Sequence, residues 1–373
     1  MSDDRIAVIS ILAVGSCVAA SCALVGTFLV LRRMALLGDA ISHAVLPGIA
    51  IAFLVTGSLG TLPMVVGAGA LGVFTVFLVQ ALTHSRRMRE DASIGVVFPA
   101  LFSVGVILIS RYVSSVDLDL ECVLYGDITY VPLDTVAIAS SPLRVPRALV
   151  VTGATLLLDF LLVLVFYKEL KLSSFDPELA AALGFSPVAV HYALMSAVSV
   201  TVVSSFESVG AILVVAMLVV PPSAAYLLTE RLSRLLLVAV AIGVASTGCG
   251  YALARALNAS IAGGMAVSAG GFFLVAWVFS PRHGVIVRLA RGRALARRLE
   301  GELLLLHLKD RAAALPADAV RRRFGWSPRQ LERVVAALER DRLVTSAGGG
   351  LAITPEGVAS LETAGTAPLA HAG

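Results

Sequence analysis

An acid and an imidazole lie one helical turn apart in a very apolar stretch of the sequence, at Asp39 and His43. The i, i+4 spacing puts both residues on one face of a helix. A carboxylate oxygen and an imidazole nitrogen together form a ligand set for a divalent transition metal. A charge inside an apolar helix is expensive to expose to lipid, so it is expected to face a protected cavity or a partner. The pair predicts a site that coordinates, or transiently passes, such a cation.

A second interpretation of the same residues is structural. In it, Asp39 caps a broken helix and His43 hydrogen-bonds to Asp39. Pro47 and Gly48 follow closely, and they favour a discontinuous helix, the kind of element in which transporters often place ion sites. The residue chemistry alone leaves both interpretations open.

The elements that must position these residues are membrane helices. The chain has 373 residues, of which 58% are hydrophobic and only 14% charged, against about 25% charged in soluble domains. Its apolar runs are each near the roughly 20 residues needed to cross a bilayer. We therefore predict an all-α polytopic membrane bundle with nine spans, or eight in an alternative arrangement. The predicted spans are 6–31, 34–56, 61–83, 92–113, 148–167, 187–205, 208–228, 233–256 and 261–280.

Basic residues in the loops predict the orientation. Arg32 and Arg33 follow the first span, and lysine or arginine recurs in every second loop after it. This bias marks the cytoplasmic side of the membrane. With nine spans, this bias puts the N-terminus outside and the C-terminal segment in the cytoplasm. We expect the chain to lie in the cytoplasmic (inner) membrane of a bacterial cell.

Two further carboxylates are candidate gate or pathway residues. Asp159 falls inside the predicted span 148–167, so it is expected to face the bundle interior and find a hydrogen-bonding partner. Glu207 falls between two predicted spans at the outer edge, where it is either an interfacial residue or part of a gate. His191, at the start of a span, is expected to be an interfacial side chain. The acidic outer segment 114–147 would attract cations or a basic docking partner, with a solvated loop as the alternative.

The inner loop 168–187 predicts a short, well-capped helix. Asp176 is a plausible N-cap, Pro177 occupies the first helical position, and Gly184 ends the helix. Such a rigid helix along the inner face is what a permease needs to receive motion from a soluble motor. An amphipathic surface helix without a partner is the alternative. The other candidate contact residues of this helix are Phe175, Glu178 and Leu179.

The segment after Pro281 has a different composition. It holds 15 of the 29 lysines and arginines but 9 of the 25 acidic residues, and no run long enough to span. Three predicted helices followed by a hairpin at Gly348–Gly350 predict a winged helix-turn-helix at 297–362. A linker at 281–296 and a disordered tail at 363–373 flank it. A candidate basic face, able to contact phosphate, the inner leaflet or a protein, consists of Arg321, Arg322, Arg323 and Arg329.

Chemistry of other classes has no motif in the sequence. The phosphate-binding pattern Gly-x-x-x-x-Gly-Lys-Ser/Thr does not occur, so any ATP use has to come from another subunit. Neither a zinc-protease motif nor a serine-hydrolase motif occurs. We therefore predict no catalytic residue and no permanently bound cofactor.

The chain resembles the permease subunits of metal-type ABC transporters, the manganese, zinc and iron uptake family. The resemblance is carried by residues 33–48, by 167–170 with 175–180, and by 209–214 with Pro221-Pro222, and it covers roughly residues 6–280. It implies that Asp39 and His43 are associated with metal in the pathway. It also implies that the helix at about 176–184 contacts the ATPase.

The same resemblance implies partners. They are a separate ATP-binding ABC subunit, an extracytoplasmic metal-binding protein, and a second permease that is identical or related. The expected function is import of Mn²⁺, Zn²⁺ or Fe²⁺ across the membrane lipid. The rival functions are an ion-coupled secondary metal transporter, and a membrane-anchored regulator acting through the C-terminal segment.

The C-terminal segment departs from many members of that family, which end soon after the last span. It resembles the DNA-binding part of iron-dependent repressors. Residues 297–373 hold only the histidines His307 and His371 and no cysteine, so the predicted domain lacks an obvious metal-sensor site of that type. A membrane-tethered domain has limited access to the chromosome, which favours protein docking or regulation over nucleic-acid binding through the tail.

Overall fold

The computed structural model describes residues 2–57, 61–84, 88–112, 128–137, 144–281, 284–310, 314–347 and 350–366. The chain divides into two compact units, Met1–Gly284 and Val285–Gly373. The helices of the first unit are α1 (Ser2–Leu31), α2 (Ala35–Thr56), α3 (Thr61–His84), α4 (Glu90–Tyr112), α5 (Arg147–Val165), α6 (Tyr167–Phe175), α7 (Pro177–Ala182), α8 (Pro187–Val209), α9 (Ala211–Leu228), α10 (Leu232–Leu257) and α11 (Ile261–Phe279).

The segment between α4 and α5 is described in part. It contains a 3-10 turn at Ile128–Tyr130 and two short antiparallel strands, β1 (Thr135–Ala137) and β2 (Arg144–Pro146). Ile128 is fully buried against the helices. Residues 113–127, which carry most of the acidic residues predicted for the outer segment, lie outside the described residues.

Each of the nine predicted spans coincides with a helix. Among the described residues, eight helices are long and apolar enough to cross a membrane. The remaining predicted span, 34–56, coincides with α2. The side chains of α2 are described only in part, and its continuous apolar stretch with described side chains is the shorter segment Pro47–Thr56. The all-α membrane bundle is therefore confirmed, and the choice between eight and nine crossings stays a prediction. Helices α1 and α8 are the most deeply buried of the eight.

A Schellman motif joins α1 to α2. Arg33 adopts a left-handed conformation with φ of 61°, and its N–H donates to the carbonyl of Val30. The N–H of Met34 donates to the carbonyl of Leu29, and the Met34 side chain is buried. This pattern satisfies carbonyls at the end of one helix and redirects the chain. It fixes where α2 begins, only a turn before Asp39.

Helix α2 continues without a break through Pro47, so the expected discontinuity near Pro47 is wrong. The reason is tertiary packing. A Cβ at Gly105 of α4 would lie 2.7 Å from Cδ of Pro47, and one at Gly48 would lie 2.7 Å from Cα of Ala68 in α3. These close contacts hold the backbone helical although proline removes one hydrogen bond, as happens where neighbouring helices support a membrane helix.

The second unit is a small mixed domain. A three-stranded antiparallel sheet has β5 (Gly350–Ile353) in the middle, with β3 (Leu315–Pro316) and β4 (Val344–Ala347) on either side. Leu304, Val320 and Leu331 belong to the hydrophobic core of the unit. Its elements are α12 (Val285–Lys309), β3 (Leu315–Pro316), α13 (Ala317–Phe324), α14 (Pro328–Arg340), β4 (Val344–Ala347), β5 (Gly350–Ile353) and α15 (Pro355–Thr366).

The predicted flanks of this domain need correction. The expected linker 281–296 is helical from Val285 onward, because the first of the three predicted helices extends back as the single helix α12 (Val285–Lys309). The expected tail 363–373 is helical to Thr366 as the end of α15, and residues 367–373 lie outside the described residues. The sequence patterns did not predict α15.

Candidate functional site

Asp39 lies in the second turn of α2 and is exposed on the surface of the single chain. Leu36, one turn earlier, is also exposed, at 57%. Leu37 and Ile41 point the other way and are fully buried. The backbone puts residue 43 in the same helix, one turn after Asp39, but the side chain of His43 lies outside the described residues. The structure therefore describes half of the predicted pair, on a face that this chain does not cover itself.

Close packing behind this face holds α2 in place. Gly38 lies so close to Leu218 of α9 that a side chain at residue 38 would collide with the Leu218 side chain. Gly26 of α1 is equally close to the backbone of Leu218. Three helices thus converge on one leucine next to Asp39. The glycines permit this approach, and the approach fixes which side of α2 stays exposed.

The described side chains include no group of three or more histidines, cysteines, aspartates and glutamates that could hold a metal ion. The side chain of His43 is not among the described ones.

Asp159 is fully buried in α5, between α1 and α8. Ser21 of α1 and Thr201 of α8 both donate hydrogen bonds to its Oδ2, Thr201 at 2.7 Å. Its Oδ1 has no hydrogen-bond partner among the described residues. The prediction that Asp159 faces the interior and finds a hydrogen-bonding partner is confirmed. A role in the pathway stays a prediction.

Glu207 lies inside α8, which continues to Val209, so its predicted position between two spans is wrong. The helix ends instead at Gly210, with φ of 79°. Glu207 is exposed and lines a cavity of about 140 Å³. The lining is mixed, with the polar Asp134, Arg147 and Ser204 beside the apolar Val131 and Val151. A gate role of Glu207 stays a prediction.

His191 is buried, with 9% of its surface exposed, rather than interfacial as expected. Its Nδ1 lies 3.3 Å from Nη1 of Arg32, and its Nε2 faces the side-chain amide of Gln80. The sequence offered no signal for this cluster, since the three residues come from three separate helical segments.

The predicted capping of the inner helix is confirmed in α7. The N–H of Leu179 donates to Oδ1 of Asp176 at 2.9 Å, and Pro177 occupies the first helical position. Gly184 ends the segment with φ of 86°, and its N–H donates to the carbonyl of Ala181. These are local interactions between neighbouring residues, which is why the sequence alone could predict them.

Exposed apolar side chains lie at and around α7. Leu179 in α7 and Leu183, its C-cap residue, are 46% and 59% exposed, and their spacing of four residues puts them on one face. Phe175, the last residue of α6, is 59% exposed. Glu178 is exposed beside them. Contiguous exposed apolar surface is typical of a protein-binding site.

The candidate basic face lies on two helices of the second unit. Arg321, Arg322 and Arg323 are in α13, where Arg321 is 3.7 Å from Asp318. Arg329 is in the first turn of α14. Arg322, Arg323 and Arg329 are exposed, so they are available to an acidic partner.

A family model described as the ABC 3 transport family matches residues 6–280. The chain belongs to this family. It is 50% identical over 281 residues to the manganese transport system membrane protein MntD of Bacillus subtilis, an alignment that covers 75% of this chain and 95% of MntD. Its resemblance to metal-type ABC permeases, inferred from the motifs, is thereby confirmed.

A second relative also aligns with the C-terminal unit. The zinc transport system membrane protein TroD of Treponema pallidum is 40% identical over 347 residues, covering 91% of this chain and 94% of TroD. Since the first unit ends at Gly284, this alignment necessarily extends into the second unit. Similarity to TroD is therefore not confined to the membrane bundle.

A solved structure supports the permease fold. The chain is similar to PsaBC from Streptococcus pneumoniae, solved in complex with Fab, with a TM-score of 0.62 and 29% identity. The match covers 74% of this chain and 93% of that one.

Proposed function

We propose that this chain is the membrane permease subunit of an ABC importer for a divalent transition metal, Mn²⁺, Zn²⁺ or Fe²⁺. The observation that carries the proposal is the exposure of Asp39 on the single chain, between the buried Leu37 and Ile41 of the same helix. Asp39 and His43 supply one oxygen and one nitrogen ligand suited to these ions.

The exposure of Asp39 on the surface of α2 is the reason for proposing a second permease chain. A carboxylate facing acyl chains is costly, so another protein surface or a water-filled passage has to cover it. A second permease, identical or related, covers this face in our proposal, and the metal passes between the two chains. The pair of ligands from each chain forms a transient site, whose small ligand number permits fast release.

The energy comes from a separate ATPase subunit, because the chain has no phosphate-binding motif of its own. The exposed apolar residues Phe175, Leu179 and Leu183, at and around the capped helix α7, form the proposed contact with that subunit. An extracytoplasmic binding protein delivers the metal to the outer mouth. The N-terminus lies outside and the C-terminal unit in the cytoplasm, as the distribution of basic residues in the loops favours.

MntD and TroD are named as manganese and zinc transport proteins, which supports this substrate class.

We assign the C-terminal unit as a winged helix-turn-helix. The order α12, β3, α13, α14, β4, β5 and the antiparallel sheet β3-β5-β4 support the assignment. The exposed arginines Arg322, Arg323 and Arg329 then dock an acidic protein surface, such as one on the ATPase subunit. Docking or regulation is favoured over nucleic-acid binding because the unit is tethered to a membrane segment.

Reconstituted transport tests the proposed function. The full-length chain is incorporated into proteoliposomes with the ATPase subunit and the binding protein, and uptake of radioactive Mn²⁺, Zn²⁺ and Fe²⁺ is measured with and without ATP. We expect uptake only with the ATPase and ATP. Uptake driven by an ion gradient without the ATPase would instead support a secondary transporter.

A further inference from the structure

Arg32 is the first residue after α1, and its guanidinium joins two other helices. Its Nε donates to Oγ of Ser174 at 3.1 Å, and its Nη2 donates to Oγ of Ser173 at 3.0 Å. Its Nη1 lies 3.3 Å from Nδ1 of His191 in α8. Each of the three nitrogens of one side chain therefore has a different partner, two in α6 and one in α8.

The contact with His191 extends the cluster to α3. An arginine only donates hydrogen bonds, so Nδ1 of His191 accepts and Nε2 carries the hydrogen. The structure places the side-chain amide nitrogen of Gln80 of α3 against that Nε2. Turning the amide by 180°, so that its oxygen faces the ring, makes Gln80 the acceptor. The cluster of Arg32, Ser173, Ser174, His191 and Gln80 thus connects α1, α3, α6 and α8.

The guanidinium is held by neutral acceptors alone in the described part of the chain, where no carboxylate lies within ion-pair distance of it. Burial lowers the pKa of Arg32 from its ordinary value, yet a guanidinium keeps its charge in proteins. Arg32 is half-buried, and a charge that is partly removed from water without a carboxylate partner depends on each of its hydrogen bonds. The fork geometry of arginine also requires the acceptors to keep fixed positions. A shift of α6 against α1 therefore leaves donors unpaired unless Arg32 moves with it.

The two ends of this connection are the two functional segments of the permease. Ser173 and Ser174 come directly before Phe175 and the N-cap Asp176 of α7, which we propose as the ATPase contact. Arg32 comes directly before the left-handed turn that starts α2, the helix of Asp39. One side chain thus links the docking helix to the start of the metal-bearing helix.

We propose that Arg32 is a positioning residue for transport, which transmits the movement of α6 and α7 to α2 and so couples ATP hydrolysis to metal movement. This inference rests on the proposed function. Arg32 itself does not touch the metal in this proposal.

The experiment measures metal imported per ATP hydrolysed, in proteoliposomes that contain the full-length permease, its ATPase and its binding protein. We expect Arg32→Gln to lower this ratio about tenfold, as loss of hydrogen bonds to a charged group predicts. Arg32→Lys keeps the charge but not the fork, so an intermediate ratio is expected. The matched control is Arg33→Gly, which removes the neighbouring, exposed charge and suits the left-handed backbone. Its ratio should equal that of the wild type.

The ratio separates positioning from folding. A purely structural defect lowers the amount of complex, and with it both rates, but leaves the ratio unchanged. If Arg32→Gln does not fold, the double variant Ser173→Ala/Ser174→Ala removes two acceptors and should lower the ratio in the same direction. A wild-type ratio in the folded variants would overturn the inference while leaving the proposed function intact. A wild-type chain that imports no metal would overturn the proposed function itself.

Discussion

Gly48 of α2 lies directly against Ala68 of α3, so that a Cβ built at residue 48 would lie 2.7 Å from Cα of Ala68. Because the obstacle is backbone, Gly48→Ala has to push the two helices apart, at a cost of about 1–3 kcal/mol. We expect a lower midpoint of thermal unfolding in detergent. Gly69→Ala is the matched control, since a Cβ there meets nothing within 4 Å and alanine favours the helix. Equal midpoints for the two variants would contradict the close packing of α2 on α3.

A substitution of Gly184 tests whether the ordered end of α7 matters for binding of the ATPase subunit. With φ of 86° and open space around it, Gly184→Ala meets only backbone strain, about 1–2 kcal/mol. We expect a frayed helix and about tenfold weaker binding of the ATPase subunit to the permease in nanodiscs. Gly184→Asn, a residue that tolerates this conformation, should retain most of the affinity. Wild-type affinity for the alanine variant would mean that the ATPase does not need an ordered α7.

The contacts of Asp159 allow a role in the bundle to be distinguished from a role in the passage. Asp159→Ala leaves the hydroxyls of Ser21 and Thr201 without their shared acceptor, which costs about 1–3 kcal/mol. Asp159→Asn keeps an oxygen for both, so its thermal midpoint and its uptake per folded protein should stay close to those of the wild type. A folded Asp159→Asn variant without uptake would instead assign Asp159 to the pathway.

The C-terminal unit is expected to be dispensable for transport itself. Residues 285–373 form a compact unit of their own, and compact units usually fold independently. A chain ending at Gly284 should import metal within about twofold of the wild-type rate. Complete loss of uptake by a correctly inserted truncated chain would favour the regulator hypothesis, in which the spans serve the tail.

The sequence predicted the membrane helices because long apolar runs dominate local preferences. It also predicted the caps at Asp176 and Gly184, where the interacting residues are neighbours in the chain. Asp159 was predictable in burial, since a lone carboxylate in a span has to find partners.

The misses have the opposite cause, namely contacts between distant segments. Helix α2 stays intact at Pro47 because α4 packs on it through Gly105, and no pattern of neighbouring residues predicts this contact. His191 is buried because Arg32 and Gln80 reach it from other helices. The position of Glu207 was wrong because the break between α8 and α9 is a single residue, Gly210, which gives almost no loop signal.

The most direct test of the account is metal uptake by Asp39→Ala in proteoliposomes with the ATPase and the binding protein. A variant that assembles with the ATPase at the wild-type level should lose at least about a hundredfold in uptake, as the loss of a metal ligand predicts. Asp39→Glu, which keeps the carboxylate, should retain part of the uptake. Wild-type uptake by an assembled Asp39→Ala variant would contradict the claim that metal passes this side chain.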